Sequence, residues 1–284
     1  MTDSQPFYEA RLSAEDSPAD DPAYTVEQAL ENLQQTADPS ARYYAAWWIG
    51  RFRVNNPIAV EALLQALEDD SDRSPDGGYP LRRNAAKALG KLGDLRAFPA
   101  LINALDCEDY YVRESVAQAL EMLGDSRAIP PLVKLLEGGL EKAQQVPGKP
   151  HLVQPYEAIL EALGTLQARE FVLLIEPFLD HFVEKVQYAA ARAMYQLTGQ
   201  AIYAERLVMA LQGNDLQLRR SAMMDLGAIG YVNGAEAIAN TLAENSLKLI
   251  ALKGILEHHL TSQSLDLELS QESVRIMKLM DGLL

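Results

Sequence analysis

Apolar residues along this chain recur at i, i+3, i+4 and i+7 in short runs that come in pairs, each pair divided by a glycine and a polar residue. Between Val112 and Leu136 the first run places Val112, Val116, Ala119, Leu120 and Leu123 on one stripe. The second places Ile129, Leu132, Val133, Leu135 and Leu136 on another, with Gly124 and Asp125 between them. The spacing predicts two short helices joined by a tight turn. Pro99, Pro130 and Pro131 fall in the first turn of the second helix, where a missing N–H costs least. Alternation with period two is absent and alanine is abundant, so a β reading fails.

The pair of helices is a repeat. LRRNAAKALGKLGDLRAFPALINAL (81–105) is echoed by VRESVAQALEMLGDSRAIPPLVKLL (112–136), with Gly93 and Gly124 in register. The same frame recurs at RYYAAWWIGRFRVNNPIAVEALLQAL, PYEAILEALGTLQAREFVLLIEPFL, VQYAAARAMYQLTGQAIYAERLVMAL and LRRSAMMDLGAIGYVNGAEAIANTL, making six units. Neither helix of a unit can bury its stripe alone, so the units must stack. The expected architecture is all-α, a right-handed superhelical solenoid of HEAT-like two-helix repeats. Residues 1–22 are acidic, contain proline and are expected to be mobile or loosely draped; 23–284 form one solenoid. Insertions near 68–80 and 137–154 carry Gly and Pro and are expected to project as loops, and helices within 246–284 to cap the solenoid or meet a partner.

Composition narrows the function. With 284 residues, 48% of them apolar, the chain can bury a substantial core. Forty acidic against 25 basic residues give a net charge of -15, a field that repels phosphate backbones and argues against nucleic acid. No run approaches the roughly 18 apolar residues of a membrane span and no basic, then apolar, leader opens the chain, so a soluble cytoplasmic protein is expected, with no membrane partner. Cys107 is the only cysteine, which excludes an internal disulfide and a Cys-based zinc cage and suggests a small core residue. His151, His181, His258 and His259 read as surface or cap residues, and no metal site is expected. Phosphate-binding, nucleophile-elbow and H-E-x-x-H patterns are all absent.

Aromatic and basic residues instead gather at the starts of repeat helices. RYYAAWWIGRFR sets Tyr43, Tyr44, Trp47, Trp48 and Phe52 among Arg42, Arg51 and Arg53, and adjacent helical positions diverge by about 100°, so one tryptophan can join the core while the other lines a surface. GGYPLRRN and DYYVRE add Tyr79, Arg82, Arg83, Asn84, Asp109, Tyr110, Tyr111 and Arg113 at the openings of two successive helices. Such a set suits a flat, conjugated, dianionic ligand: rings stack, guanidinium groups pair carboxylates, and an aspartate accepts N–H bonds. Each arginine also has a structural reading, since an Arg near a helix start in such repeats often pairs with an Asp of the adjacent turn.

At these residues the chain resembles the E-type subunits of the E/F-type phycobilin lyases. The resemblance runs through RYYAAWWIGRFR, DRSPDGGYPLRRNAAKALGKLGD, DCEDYYVRESVAQALEMLGD, PYEAILEALG, VQYAAARAMYQLTG, DLQLRRSAMMDLGAIGY and AENSLKLIALKGILEHHL, most of the chain from Arg42 to Leu260. The repeats alone are unspecific; YYAAWWIGRFR with GGYPLRR makes the match specific. The resemblance implies a heterodimer with an F-type lyase subunit that joins phycocyanobilin, a linear tetrapyrrole with two propionates, to a cysteine of the apo-phycocyanin α subunit through a thioether. It implies no cofactor, the bilin being substrate, and no nucleophile from this chain, because the acceptor supplies the thiol. From the physical chemistry of these residue types, and not from the resemblance, Arg82, Arg83 and Arg113 are expected to pair propionates, with Arg51 and Tyr79 also against the bilin. Trp47, Trp48, Tyr110 and Tyr111 are expected to provide stacking walls. Asp109 is expected to accept pyrrole N–H bonds or relay a proton, with His151 a less favoured acid. A non-enzymatic adaptor for phycobiliproteins and a bilin-detaching or bilin-isomerising relative are the competing readings.

Overall fold

The computed structural model describes residues 24–71, 73–262 and 269–284. The acidic segment 1–22 lies outside them. Every regular element among the described residues is helical apart from one isolated bridge between Gln145 and Leu152. In chain order the first five helices are α1 (Val26–Gln34), α2 (Pro39–Arg51), α3 (Pro57–Glu68), α4 (Pro80–Leu92) and α5 (Phe98–Ala104). Next come α6 (Tyr110–Leu123), α7 (Ile129–Lys134), α8 (Gly139–Lys142), α9 (Tyr156–Thr165), α10 (Val172–Ile175) and α11 (Glu184–Thr198). The chain closes with α12 (Ala201–Ala210), α13 (Leu216–Ile229), α14 (Ala235–Asn240), α15 (Asn245–Ser262) and α16 (Gln271–Asp281).

Two layers result. Helices α2, α4, α6, α9, α11, α13 and α15 stack side by side in sequence order, and the shorter helices pack behind them. Small residues set the spacing of the first layer. A Cβ on Gly90 would lie 2.6 Å from the Cα of Ala119, and Gly50 against Ala88 and Gly164 against Ala193 repeat the same close approach. The buried stripes predicted from the sequence form the core behind this layer: Val112, Val116, Ala119, Leu120 and Leu132 are fully buried. Each such leucine stabilises the fold by roughly 2 to 3 kcal/mol relative to leaving it in water.

The Gly-Asp break is a matched pair of caps. Gly93 and Gly124 end α4 and α6 in the left-handed region at φ 71° and 68°. Asp94 and Asp125 then cap short 3-10 turns that lead into α5 and α7. Arg53 (φ 49°) and Gln167 (φ 62°) adopt the same conformation at the corresponding point of their repeats, without being glycine.

Both insertions fold back onto the solenoid where the sequence suggested projecting loops. Tyr79 is buried, its ring lies under the guanidinium groups of Arg73 and Arg82, and its N–H donates to Asp109. In the second insertion Ala143 and Leu152 are buried, and His181 donates through Nε2 to the Ala143 carbonyl at 2.9 Å while Nδ1 accepts from the Val183 N–H. With those two partners and 2% exposure, His181 belongs to the packed interior, which corrects its reading as a surface or cap residue. His151, His258 and His259 are exposed or half-buried, and Cys107 is half-buried against the core.

Candidate functional site

The aromatic and basic residues that the sequence singles out separate into those that face outward and those the scaffold consumes. On α2, Tyr43, Tyr44 and Trp47 are exposed, Trp47 by 41%, and Arg51 continues the same face one turn on from Trp47. Trp48 turns inward, half-buried against the core between Tyr24 and Phe52 at ring distances of 5.2 and 4.8 Å. Arg51 is exposed and takes no partner among the described residues.

The arginines at the openings of α4 and α6 are committed to the fold. Arg82 donates to the carbonyls of Glu68 and Asp69, the frayed end of α3, at 2.9 and 2.6 Å. Arg113 donates to the carbonyls of Cys107, Glu108 and Val153 and to Gln154 Oε1, tying the start of α6 to the second insertion. Arg83 meets Asp109 Oδ2 through Nε and a terminal nitrogen at 2.9 and 2.7 Å and lies over the Tyr111 ring.

Asp109, 8% exposed, caps α6 through the Tyr111 N–H and also receives the Tyr79 N–H, so its two oxygens accept four bonds in all. Its place is at the joint between the first insertion and two helices. The neighbouring Tyr110 ring stacks on His151 at 4.4 Å and meets Tyr111 edge-on. Burial raises the Tyr110 hydroxyl above the usual tyrosine range, and Glu114 and Glu157 reinforce that shift.

Along the outer side of the first layer, carboxylates gather from helices that the sequence does not bring together. Glu114 and Glu121 come from α6, Glu157 and Glu161 from α9, and Asp225 from α13. Arg192 of α11 stands among three of them: 2.6 Å from Glu121, 3.2 Å from Glu161 and 3.4 Å from Asp225. Its reach to Glu121 crosses the whole width of α9. Glu114 and Glu157 make no hydrogen bond or ion pair among the described residues. Burial pushes both above the usual carboxylate range, with Lys185 pulling the other way. Desolvation likewise raises Glu161 and Asp225 against the pull of Arg192.

Residues 41–69 match the PBS lyase HEAT-like repeat and residues 73–142 match HEAT repeats. The phycocyanobilin lyase subunit alpha of Synechocystis sp. is 67% identical over 93% of this chain and 97% of its own length. This chain belongs to the phycocyanobilin lyase α-subunit family. The Nostoc sp. member is 60% identical over 96% of this chain and 99% of its own. One chain in the structure of the complex of CpcE and CpcF of phycocyanin lyase from Nostoc sp. superposes with a TM-score of 0.87, at 59% identity over 95% of this chain and 98% of that one.

Within this phycocyanobilin lyase α-subunit fold, the residues that sequence reasoning missed are Glu121, Glu157, Glu161, Arg192 and Asp225. One signal was in reach. In the register set by Gly93 and Gly124, Glu121 stands where Gly90 stands in the preceding repeat, a charged side chain at a close-packing position. No comparable local signal marks the others, which converge only through stacking. Farther along the same layer, Met224, Gly227, Ile250, Gly254 and His258 line a shallow cleft of about 490 Å³ between α13 and α15.

Proposed function

We propose that this chain is the α-type subunit of a heterodimeric lyase that attaches phycocyanobilin through a thioether to a cysteine of the phycocyanin α subunit, working with an F-type partner. The observation that carries the reading is near full-length identity of 67% to a phycocyanobilin lyase subunit alpha. The partner follows from the chain of 59% identity found in a CpcE and CpcF complex. The acceptor protein brings the nucleophile, so the lyase has to hold the bilin in one conformation, exclude water and manage a proton. Phycocyanobilin enters as substrate, and the chemistry calls for no cofactor of this chain's own.

In this reading the outward Trp47 and Tyr44 offer π faces to the conjugated system, and Tyr110 with His151 offers another. Arg51, exposed and unpartnered among the described residues, and Lys87, exposed and drawn electrostatically to Glu114, suit the two propionates better than the spent Arg82 and Arg113. Arg83 and Asp109 position the Tyr79 and Tyr111 backbones and rings, a supporting task in place of direct bilin chemistry. No helix among the described residues is long and apolar enough to cross a membrane. A cytoplasmic place, where the bilin and the newly made acceptor meet, is part of the same proposal.

Reconstitution tests it. Apo-phycocyanin α subunit and phycocyanobilin are mixed with this chain, with the F-type partner, and with both, and covalent bilin is scored on a denaturing gel and by fluorescence. Fast formation of a single, correctly absorbing adduct with both subunits present is the expected result. Adduct formation no faster than in the uncatalysed mixture would sink the lyase reading and leave an adaptor. Loss of bilin from holo-phycocyanin would point to a detaching factor.

A further inference from the structure

The carboxylates around Arg192 are in excess of what a structural brace needs. One guanidinium is matched by one carboxylate, yet Glu121, Glu161 and Asp225 all lie within 3.4 Å of it, a surplus of carboxyl groups that favours a proton held on one of them. Removing charges from water is costly, and a brace built for stability alone would use one acid or none. The polar atoms also fall short of satisfaction. Asp225, with a side chain only 6% exposed, keeps Oδ2 buried without a hydrogen-bond partner, and Arg192 Nε beside it is buried and unpartnered too. A buried acceptor and a buried donor left without partners mark a cluster that is not built as a satisfied brace.

Glu161 is the most exposed of the three carboxyl groups around Arg192, ahead of Glu121 at 17%. Asp225 is sealed in, whereas the Glu161 side chain is 24% exposed on the outer side of the first layer and one of its oxygens is bound at 3.2 Å to Arg192. Around it stand Glu121 of α6, Glu157 one turn earlier on α9, Arg192 of α11 and Asp225 of α13. Lys185 acts on Glu157 and Glu114. A carboxylic acid so placed can present a proton to a bound molecule while its neighbours hold the charge that remains.

We propose that Glu161 is the proton donor of the attachment reaction, held in place by Arg192 beside the carboxyl groups of Glu121 and Asp225. This rests on the lyase reading above. The acceptor's thiol adds across the exocyclic carbon–carbon double bond of the bilin's terminal ring. The sulfur–carbon bond forms at the exocyclic carbon and the π bond breaks. Its electron pair takes the Glu161 proton at the adjacent ring carbon, and the thiol proton returns to the carboxylate. The addition is redox-neutral and consumes no co-reactant. Glu161 needs to be a neutral acid near pH 7 for this, and burial, with Asp225, Glu121 and Glu157 reinforcing it, pushes its carboxyl up to about 8.

The test uses the reconstituted pair of subunits with apo-phycocyanin α subunit and phycocyanobilin, in single turnover from pH 5.5 to 9.5, with non-covalent bilin binding followed by absorption before acceptor is added. The wild-type rate is expected to fall as pH rises through the Glu161 titration. Glu161→Gln should bind bilin, attach it on the order of 10²-fold more slowly near neutral pH, and lose that limb of the profile. Glu161→Asp should keep the limb and recover part of the rate. Asp225→Asn, which removes a negative neighbour, should move the limb to lower pH.

A Glu161→Gln pair as fast as wild type at every pH overturns this assignment and leaves the lyase reading intact. So does a Glu161→Asp pair that is no faster than Glu161→Gln and binds bilin as poorly, which would mark a structural role. A wild-type pair that attaches no bilin overturns the lyase reading and this assignment with it.

Discussion

Two stretches of the first helical layer invite comparison: the openings of α4 and α6, crowded with arginine and tyrosine, and the run from α6 to α13, where single acids from separate helices converge. At the openings nearly every polar group is satisfied. Asp109 accepts four bonds, Arg113 donates to three carbonyls and a side-chain amide, and Arg82 closes the end of α3. Along the acidic run, carboxylates outnumber the cation they share and buried atoms go unpaired. Conspicuous chemistry in a repeat protein can thus be the mortar between repeats, while a shortage of partners marks a cluster that packing alone does not explain.

The largest effect should come from breaking the mortar. Asp109→Ala strips the α6 cap and leaves Arg83 and the Tyr79 N–H without their acceptor, and a loss of about 3 kcal/mol in chemical denaturation is expected. A loss under about 0.5 kcal/mol, the size of an ordinary surface change, would erase the contrast between the two stretches. The tryptophan pair gives the next test. Trp48→Ala should cost about 2 to 3 kcal/mol of stability through lost packing on Tyr24, Phe52 and the core, a loss read from thermal unfolding. Trp47→Ala should leave the melting temperature nearly unchanged and weaken bilin binding by about tenfold, the worth of one stacking contact.

Stability against pH sharpens the other half of the comparison. Because the folded Glu161 carboxyl is raised above its unfolded value, the folded chain holds the proton more tightly, and its stability should decline as pH climbs from the ordinary glutamate range to about 8. Glu161→Gln should flatten that decline in urea titrations at a series of pH values; an unchanged slope would assign the decline to other groups. The smallest effect belongs to Arg53, a left-handed residue at a place where glycine serves in other repeats. Arg53→Gly should add up to about 1 kcal/mol of stability, less what the bond to the Lys91 carbonyl contributes, and a net loss would show that this bond outweighs the strain.

The helix pairs, their caps and the repeat register were legible in the sequence because each depends on neighbours within a few residues: Gly93 ends a helix, Asp94 starts the next turn, Pro99 follows. The roles of the arginines were less legible, since whether Arg113 is free depends on where the Val153 carbonyl comes to rest. His181 was misread for the same reason: an insertion far away in sequence supplies its cover, the Ala143 carbonyl. The carboxylate cluster spans Glu121 to Asp225 and exists only after four helices have stacked, so local patterning carries almost no trace of it.

Stacked repeats usually behave as a chain of nearest-neighbour couplings, in which unfolding can begin at either end and stop at any joint. The guanidinium of Arg192 breaks that rule by gripping a residue two helices away, past α9, while also touching the helix on its other side. The segment from α6 to α13 is therefore expected to open as one cooperative block in native-state hydrogen exchange, with partial unfolding confined to the repeats outside it.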